Sequence, residues 1–273
     1  MSKAVMIVSY KGGVGKTTLC AALAYVAAEH GNVVTAIDLD LEFGGLDIAL
    51  GEENSTAPSA LEYFSNRATP EQARIPCRKE GLYLMNAPMT LREEGEGITA
   101  EMLREGIARL RQENDLVLFD LPAGGGPLLD RLLESGEIDD VLLISTDAPT
   151  SLRSAETCAS RLARRSKAQI RLVVNCYRVD SPESNNAGLL DILESVCVPV
   201  IGVIPFDPAV SLGLGRGVPA TALEDSPAGL AAENVFLRLA QKRVPLLDGV
   251  LKKRKRNHLY RKKQKKQENG GTE

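Results

Sequence analysis

Residues 4–9 form an apolar run that ends directly in Tyr10-Lys-Gly-Gly-Val-Gly-Lys-Thr-Thr18, and that segment opens an Ala- and Leu-rich helical stretch over Thr17–His30. A strand, a glycine loop ending in Lys-Thr, and a helix are the arrangement a phosphate-binding loop requires. Gly12, Gly13 and Gly15 admit backbone conformations closed to other residues and keep side chains away from an anion. The N–H groups of the loop, Val14 among them, then converge on phosphate, reinforced by the positive end of the helix. Lys16 supplies a cation for the outer phosphates, the Thr17 hydroxyl is a Mg²⁺ ligand, and Thr18 reaches an inner phosphate oxygen. A turn that merely joined strand to helix would not need Lys-Thr at the junction.

The rest of the chain alternates apolar β-type runs with helical patterns. Strands are expected at 32–38, 82–86, 116–120, 141–146, 170–175 and 200–204, with helices near 100–112, 127–135, 149–165, 186–195 and 227–243. Continuous Val/Ile/Leu strands are buried on both faces, which marks a parallel sheet covered by helices. The expected fold is therefore α/β, a single P-loop NTPase domain with a mostly parallel sheet flanked by helices on both faces. It covers 1–245, followed by a basic, mobile tail at 246–273. With 273 residues, 44% of them hydrophobic, the chain has enough apolar material for one large core and is too apolar for a disordered protein. No apolar run is long enough for a transmembrane helix, and none has the form of a signal peptide. Cys20, Cys77, Cys158, Cys176 and Cys197 are widely spaced with no CxxC pair, so free thiols are expected and a zinc site is not.

The formal net charge of −3 hides an asymmetry. Residues 252–266 hold ten Lys/Arg and no Asp/Glu, leaving 23 basic against 36 acidic residues in the rest. An acidic body with a basic tail points to an anionic surface as a partner. The tail's charges suit an anionic bilayer, at about 1 kcal/mol per basic residue near the surface, and they suit DNA phosphates as well. Leu246, Leu247, Val250 and Leu251 form a small apolar patch just before them, expected to assist shallow insertion.

Two further sites carry acids at strand ends. Asp38-Leu-Asp40 closes the second strand, and alternation puts both carboxylates on one side of the carboxyl edge, where ligands bind in such sheets. Leu116-Val-Leu-Phe-Asp120 is four apolar residues ending in Asp, followed by Pro122-Ala-Gly-Gly-Gly126, a loop able to move with the state of a γ-phosphate.

Tyr10 stands where a commoner form of the phosphate loop opens with Gly, and Lys11 brings a second cation. This deviant loop resembles the MinD/ParA family of P-loop ATPases, and the resemblance runs from about residue 3 to about 243. It implies ATP and Mg²⁺ as cofactors and an ATP-dependent homodimer with Lys11 acting across the interface. It also implies that Asp40 positions the attacking water, that Asp120 holds Mg²⁺ through water with Asp38 beside the metal, and that Asn175 reads the adenine edge. Gly202-Val-Ile-Pro-Phe-Asp207 is similar to the family's segment beside the base, which brings in Pro205 and Asp207. Asp38–Asp47 and Gly202–Pro205 resemble the MinD branch more than ParA. The implied role is then a spatial regulator of cell division that cycles between the cytoplasm and the inner face of the cell membrane. A protein activator, which the sequence does not identify, would stimulate its hydrolysis, slow in its absence. A ParA-like partition ATPase binding DNA nonspecifically is the alternative. Tyr10 replaces the small residue common before the signature lysine, Leu121 replaces a usual Ser or Thr, and Ser154 stands where MinD proteins usually carry Asp. Iron–sulfur carriers of this fold place paired cysteines at the dimer interface, and no such pair is present.

Overall fold

The computed structural model describes residues 2–41, 44–53, 55–88, 97–165, 167–178, 191–192, 194 and 196–250. Among the described residues eight strands form one sheet: β1 (Lys3–Val8), β2 (Val34–Asp38), β3 (Ile75–Pro76), β4 (Leu82–Met85), β5 (Leu116–Asp120), β6 (Asp140–Ser145), β7 (Gln169–Tyr177) and β8 (Val200–Pro205). Their order is β3-β4-β2-β5-β1-β6-β7-β8. Every pairing is parallel except that of the edge strand β3 with β4.

The central strands divide their side chains between two cores with period two. In β1, Ala4, Met6 and Val8 face one core, and Val5 and Ile7 the other. In β5, Val117 and Phe119 join the first core while Leu116 and Leu118 join the second. This is why these strands read as unbroken apolar runs.

The second core is closed by α1 (Lys16–Glu29), which packs on the helix Pro227–Leu239 and on the 3₁₀ turn Ala220–Ala222. Ten of the fourteen residues of α1 are buried. A helix apolar all round is one covered all round. The first core is covered by α5 (Ala100–Glu113), α6 (Gly126–Ser135) and α7 (Pro149–Ala163), each carrying an apolar stripe.

Short helices that the sequence pattern does not announce fill the β2–β4 connection: α2 (Leu46–Leu50), α3 (Ala60–Phe64) and α4 (Pro70–Ala73). Capping boxes start two of them, Ser59 with Glu62 and Thr69 with Gln72. After β8 come α8 (Pro208–Leu214) and α9 (Pro227–Leu239). The helix expected over 227–243 thus stops at 239, and the one expected over 149–165 stops at 163. Most of the helix expected near 186–195 lies outside the described residues.

The chain after α9 differs from the expected mobile tail. Val250 is buried, and Leu246 and Leu247 pack on the core. Arg238 of α9 donates to the carbonyls of Val244 (2.9 Å), Ile201 (2.7 Å) and Pro245, while Asn234 donates to that of Asp248 (2.9 Å). The apolar patch expected to serve the tail is therefore spent inside the domain, at least through Val250. Residues 252–266 lie outside the described residues. All five cysteines are free thiols, and among the described residues no helix is long and apolar enough to cross a membrane.

Candidate functional site

The sheet order reverses around β1: β2 lies on one side of the β1–β5 pair and β6 on the other. At such a point the loops diverge and leave a crevice outside the carboxyl ends of the strands. The loop from Tyr10 to Gly15 occupies that crevice. Gly15 caps α1 with φ of 91°, and Gly13 has φ of 72°. Lys16, the first helical residue, is only 8% exposed, and its charge acts on Asp120. Lys11 differs: its amine is exposed and donates to Thr150 Oγ1 at the start of α7 across 3.0 Å.

Asp38 and Asp120 are register partners at the ends of β2 and β5. Both are buried, 2% and 1% exposed. The Asp38 carboxylate is committed to backbone, accepting from the N–H groups of Asp40 (2.9 Å), Gly45 (2.9 Å) and Leu46 (3.1 Å). These bonds wrap the chain after β2 and seat Asp40 on the wall of a cavity of about 240 Å³, which Asp38, Asp47 and Glu53 also line. Burial raises the Asp38 carboxyl above its ordinary pKa, and the three N–H donors pull it back.

Asp120 has no such backbone donors. Both of its carboxylate oxygens are buried without a hydrogen-bond partner. Burial, followed by the charge of Asp38, pushes its pKa up to about 8, against the opposing pull of Thr17 and Lys16. A buried acid left unsatisfied beside a Lys-Thr phosphate loop fits a hard cation: Mg²⁺ takes one or two carboxylates and completes its shell with water and phosphate oxygens. Thr17 and Asp120 would hold it, with Asp38 behind them. The glycine loop that follows Asp120 is tied to the phosphate loop, since Gly124 N–H donates to the Ser9 carbonyl (2.8 Å). Gly124, Gly125 and Gly126 have φ of 81°, 81° and 56°, a run that residues with a Cβ do not adopt.

On the other side of the loop lies a cavity of about 170 Å³ lined by Gly13, Gly15, Thr18, Asn175, Pro205 and Asp207, among others. The structure thus brings the expected base-contacting residues onto one hollow beside the loop. Asn175 Nδ2 donates to the Val14 carbonyl across 2.7 Å. Asp207 caps α8 through Ala209 N–H (3.0 Å) and accepts from Ser226 Oγ (2.8 Å), which locks the segment after β8. Phe206 also lines the hollow, half exposed, with the Arg178 guanidinium 5.2 Å from its ring centre. Phe206 and Arg178 escaped the sequence reading. Phe206 lies within Gly202–Asp207, where an aromatic ring beside the expected base segment is itself a signal for stacking. Arg178 meets it only through the β7–β8 pairing.

The family described as the CobQ/CobB/MinD/ParA nucleotide binding domain matches residues 5–220. The septum site-determining protein MinD of Synechocystis sp. is 28% identical over 257 residues, covering 91% of this chain and 93% of the relative. The structure superposes on MinD of the Aquifex aeolicus MinC:MinD cell division complex with a TM-score of 0.81 and 26% identity, covering 90% of this chain and 98% of that one. It superposes on Pyrococcus horikoshii MinD complexed with Mg-ADP with a TM-score of 0.76 and 25% identity, covering 88% and 96%. With the phosphate loop, the orphaned Asp120 and the base-side hollow in one crevice, this chain belongs to the CobQ/CobB/MinD/ParA family of nucleotide-binding domains, and its full-length relatives include septum site-determining MinD proteins.

Proposed function

We propose that this protein is a Mg-ATP-dependent dimerising ATPase that acts as a spatial regulator of cell division, as the MinD name of its relatives implies. The observation that carries the reading is Asp120, a buried acid with no backbone donor, on which the neighbouring Thr17 and Lys16 act. Ionised, it is a cost to the fold that a proton relieves in the free protein and that a bound cation would offset. When bound, Mg²⁺ supplies charge neutralisation and in-line geometry for the transferred phosphoryl group.

The chain's own residues divide the remaining work. Loop N–H groups and Lys16 hold the phosphates, and Thr18 orients an inner phosphate oxygen. Asn175, Pro205 and the locked Asp207 segment frame the base. Asp40, on the wall of the acidic cavity, orients the attacking water. Lys11 acts from one protomer on the nucleotide of its partner, leaving Thr150 as the two subunits close. The tail, residues 252–266, attaches the dimer to an anionic membrane surface. Two tails on one dimer raise the effective concentration, so the ATP form binds the inner face of the membrane and the monomer returns to the cytoplasm. A protein activator sets the rate of return, and hydrolysis is slow without it.

The test combines sedimentation velocity with ATP or ADP, phosphate release, and co-sedimentation with anionic vesicles set against a DNA mobility shift. ATP-dependent dimers, magnesium-dependent phosphate release and vesicle binding are expected. ATP-dependent DNA binding without vesicle binding would move the assignment to partition.

A further inference from the structure

Tyr10 stands immediately before Lys11, and its side chain is partly buried against the first core. Its hydroxyl accepts from Arg161 Nη1 of α7 across 3.0 Å. The other terminal nitrogen of Arg161 pairs with Asp130 Oδ2 of α6 across 2.8 Å, and Arg165 pairs with the same oxygen across 2.8 Å. One side chain of the phosphate loop is thereby fastened to two helices at once. A small residue at position 10 has no atom able to reach Arg161, so the contact exists because this chain carries Tyr there.

The connection has two consequences for Lys11. Tyr10 fixes the chain one residue upstream of it, and Ser9 Oγ donates to the Lys11 carbonyl across 2.8 Å. Held there, the Lys11 amine reaches Thr150 on the same α7 that carries Arg161. Asp130, for its part, belongs to the helix that follows the glycine loop Pro122–Gly126, whose Gly124 bonds back to Ser9. The clasp therefore joins the phosphate loop, the loop after Asp120 and α7 in one closed circuit of contacts.

We propose that Tyr10, Arg161 and Asp130 are positioning residues for Lys11: their clasp keeps its amine on Thr150, and it opens before Lys11 reaches a nucleotide. The inference rests on the reading that Lys11 acts across an ATP-dependent dimer. The clasp adds a closed conformation with which that dimer competes, so loosening it raises the fraction of competent protein. Its members are partly exposed, with side-chain exposures of 41% for Arg161 and 29% for Asp130. Contacts of that kind command shifts of about two- to fivefold, not orders of magnitude.

The experiment compares the full chain with Tyr10→Phe, Arg161→Met and the double variant. Three quantities are read: the protein concentration at half-dimerisation in Mg-ATP, the ATP affinity of the monomer, and the rate at which a dilute amine-acylating reagent labels Lys11, mapped by mass spectrometry. Each single variant is expected to dimerise at about two- to fivefold lower concentration and to label Lys11 faster, by more than any change in monomer ATP affinity accounts for. The double variant should add nothing beyond Arg161→Met, because that change already removes the one contact that Tyr10→Phe removes. Arg161→Lys, which keeps the charge but not the two-pronged guanidinium fork, should fall between wild type and Arg161→Met. Unchanged labelling and unchanged dimerisation in both single variants overturns the clasp, as does a rise in the dimerisation midpoint. Absence of ATP-dependent dimers in the wild-type protein overturns instead the dimer reading, and the labelling rates then decide the clasp alone.

Discussion

Asn175 Nδ2 donates to the carbonyl of Val14 across 2.7 Å, tying the end of β7 to the phosphate loop 161 residues earlier. The same amide stands where a side chain on Gly15 would begin. A Cβ at position 15 would penetrate the Asn175 nitrogen, and the residue would still have to hold φ of 91°. Gly15→Ala is thus expected to lose about 1–3 kcal/mol of stability and most of its nucleotide affinity. Asn175→Ala should cost about 1–3 kcal/mol by orphaning the Val14 carbonyl. The double variant should recover part of the steric loss. Urea unfolding of the three proteins measures the coupling, and strict additivity would refute the contact.

Lys16 and Lys11 should separate in binding experiments. Lys16 is buried in the loop, whereas Lys11 rests on Thr150. Lys16→Ala removes a charge-assisted contact and should weaken Mg-ATP by about 10- to 100-fold in calorimetry. Lys11→Ala should bind ATP as wild type does and lose ATP-dependent dimerisation. Identical behaviour of the two variants would remove the distinction between them.

Asp120 links stability to pH in the nucleotide- and magnesium-free protein. Its pKa is about 8 in the folded chain, against about 3.9 in an unfolded one. Between those values the native state binds more protons than the unfolded state, so stability falls as pH rises from about 4 to about 8. The contribution is fully present below the lower value and lost above the higher one. Asp120→Asn removes this slope, because the amide does not titrate. It should raise the neutral-pH melting temperature of the free protein and abolish the further rise that Mg-ATP gives the wild type. Thermal scans across pH 5–9 check both; an unaltered slope in Asp120→Asn would assign the titration elsewhere.

Asp40 lines the acidic cavity and is half buried. Asp40→Ala should bind ATP, accumulate as a dimer and hydrolyse at least about 100-fold more slowly, the scale of a positioned proton acceptor. Phosphate release under single-turnover conditions is the measurement. Turnover within twofold of wild type would move the water-orienting role to another group.

The seated residues 246–250 set where the tail can be cut. A chain ending at Leu251 keeps Val250 in place and should melt like the full protein while losing vesicle binding. A chain ending at Asp248 also removes Val250, which is 1% exposed, and should lose a further 1.5–3 kcal/mol or so. Equal vesicle binding by the chain ending at Leu251 would rule out residues 252–266 as the anchor.

The sequence by itself determined the strand–loop–helix with the form of a phosphate loop, the parallel sheet and the candidate acids, because each is encoded locally. Unbroken apolar runs report burial on both faces, glycines at a strand end report a backbone that must approach an anion, and Asp after four apolar residues reports a strand terminus. The short helices between β2 and β4 were not legible, since four or five residues carry too little periodicity and capping bonds decide where two of the three start. Nor could the sequence show that Leu246, Leu247 and Val250 belong to the core and not to the tail. Their apolar character suits either place, and the decision lies with Arg238 and Asn234, which bind the carbonyls of that segment. Only the tertiary structure decided that Asp38 spends its carboxylate on backbone N–H groups while its register partner Asp120 has none. That difference depends on how the chain turns after each strand, a matter of three-dimensional path that no local pattern of residues expresses.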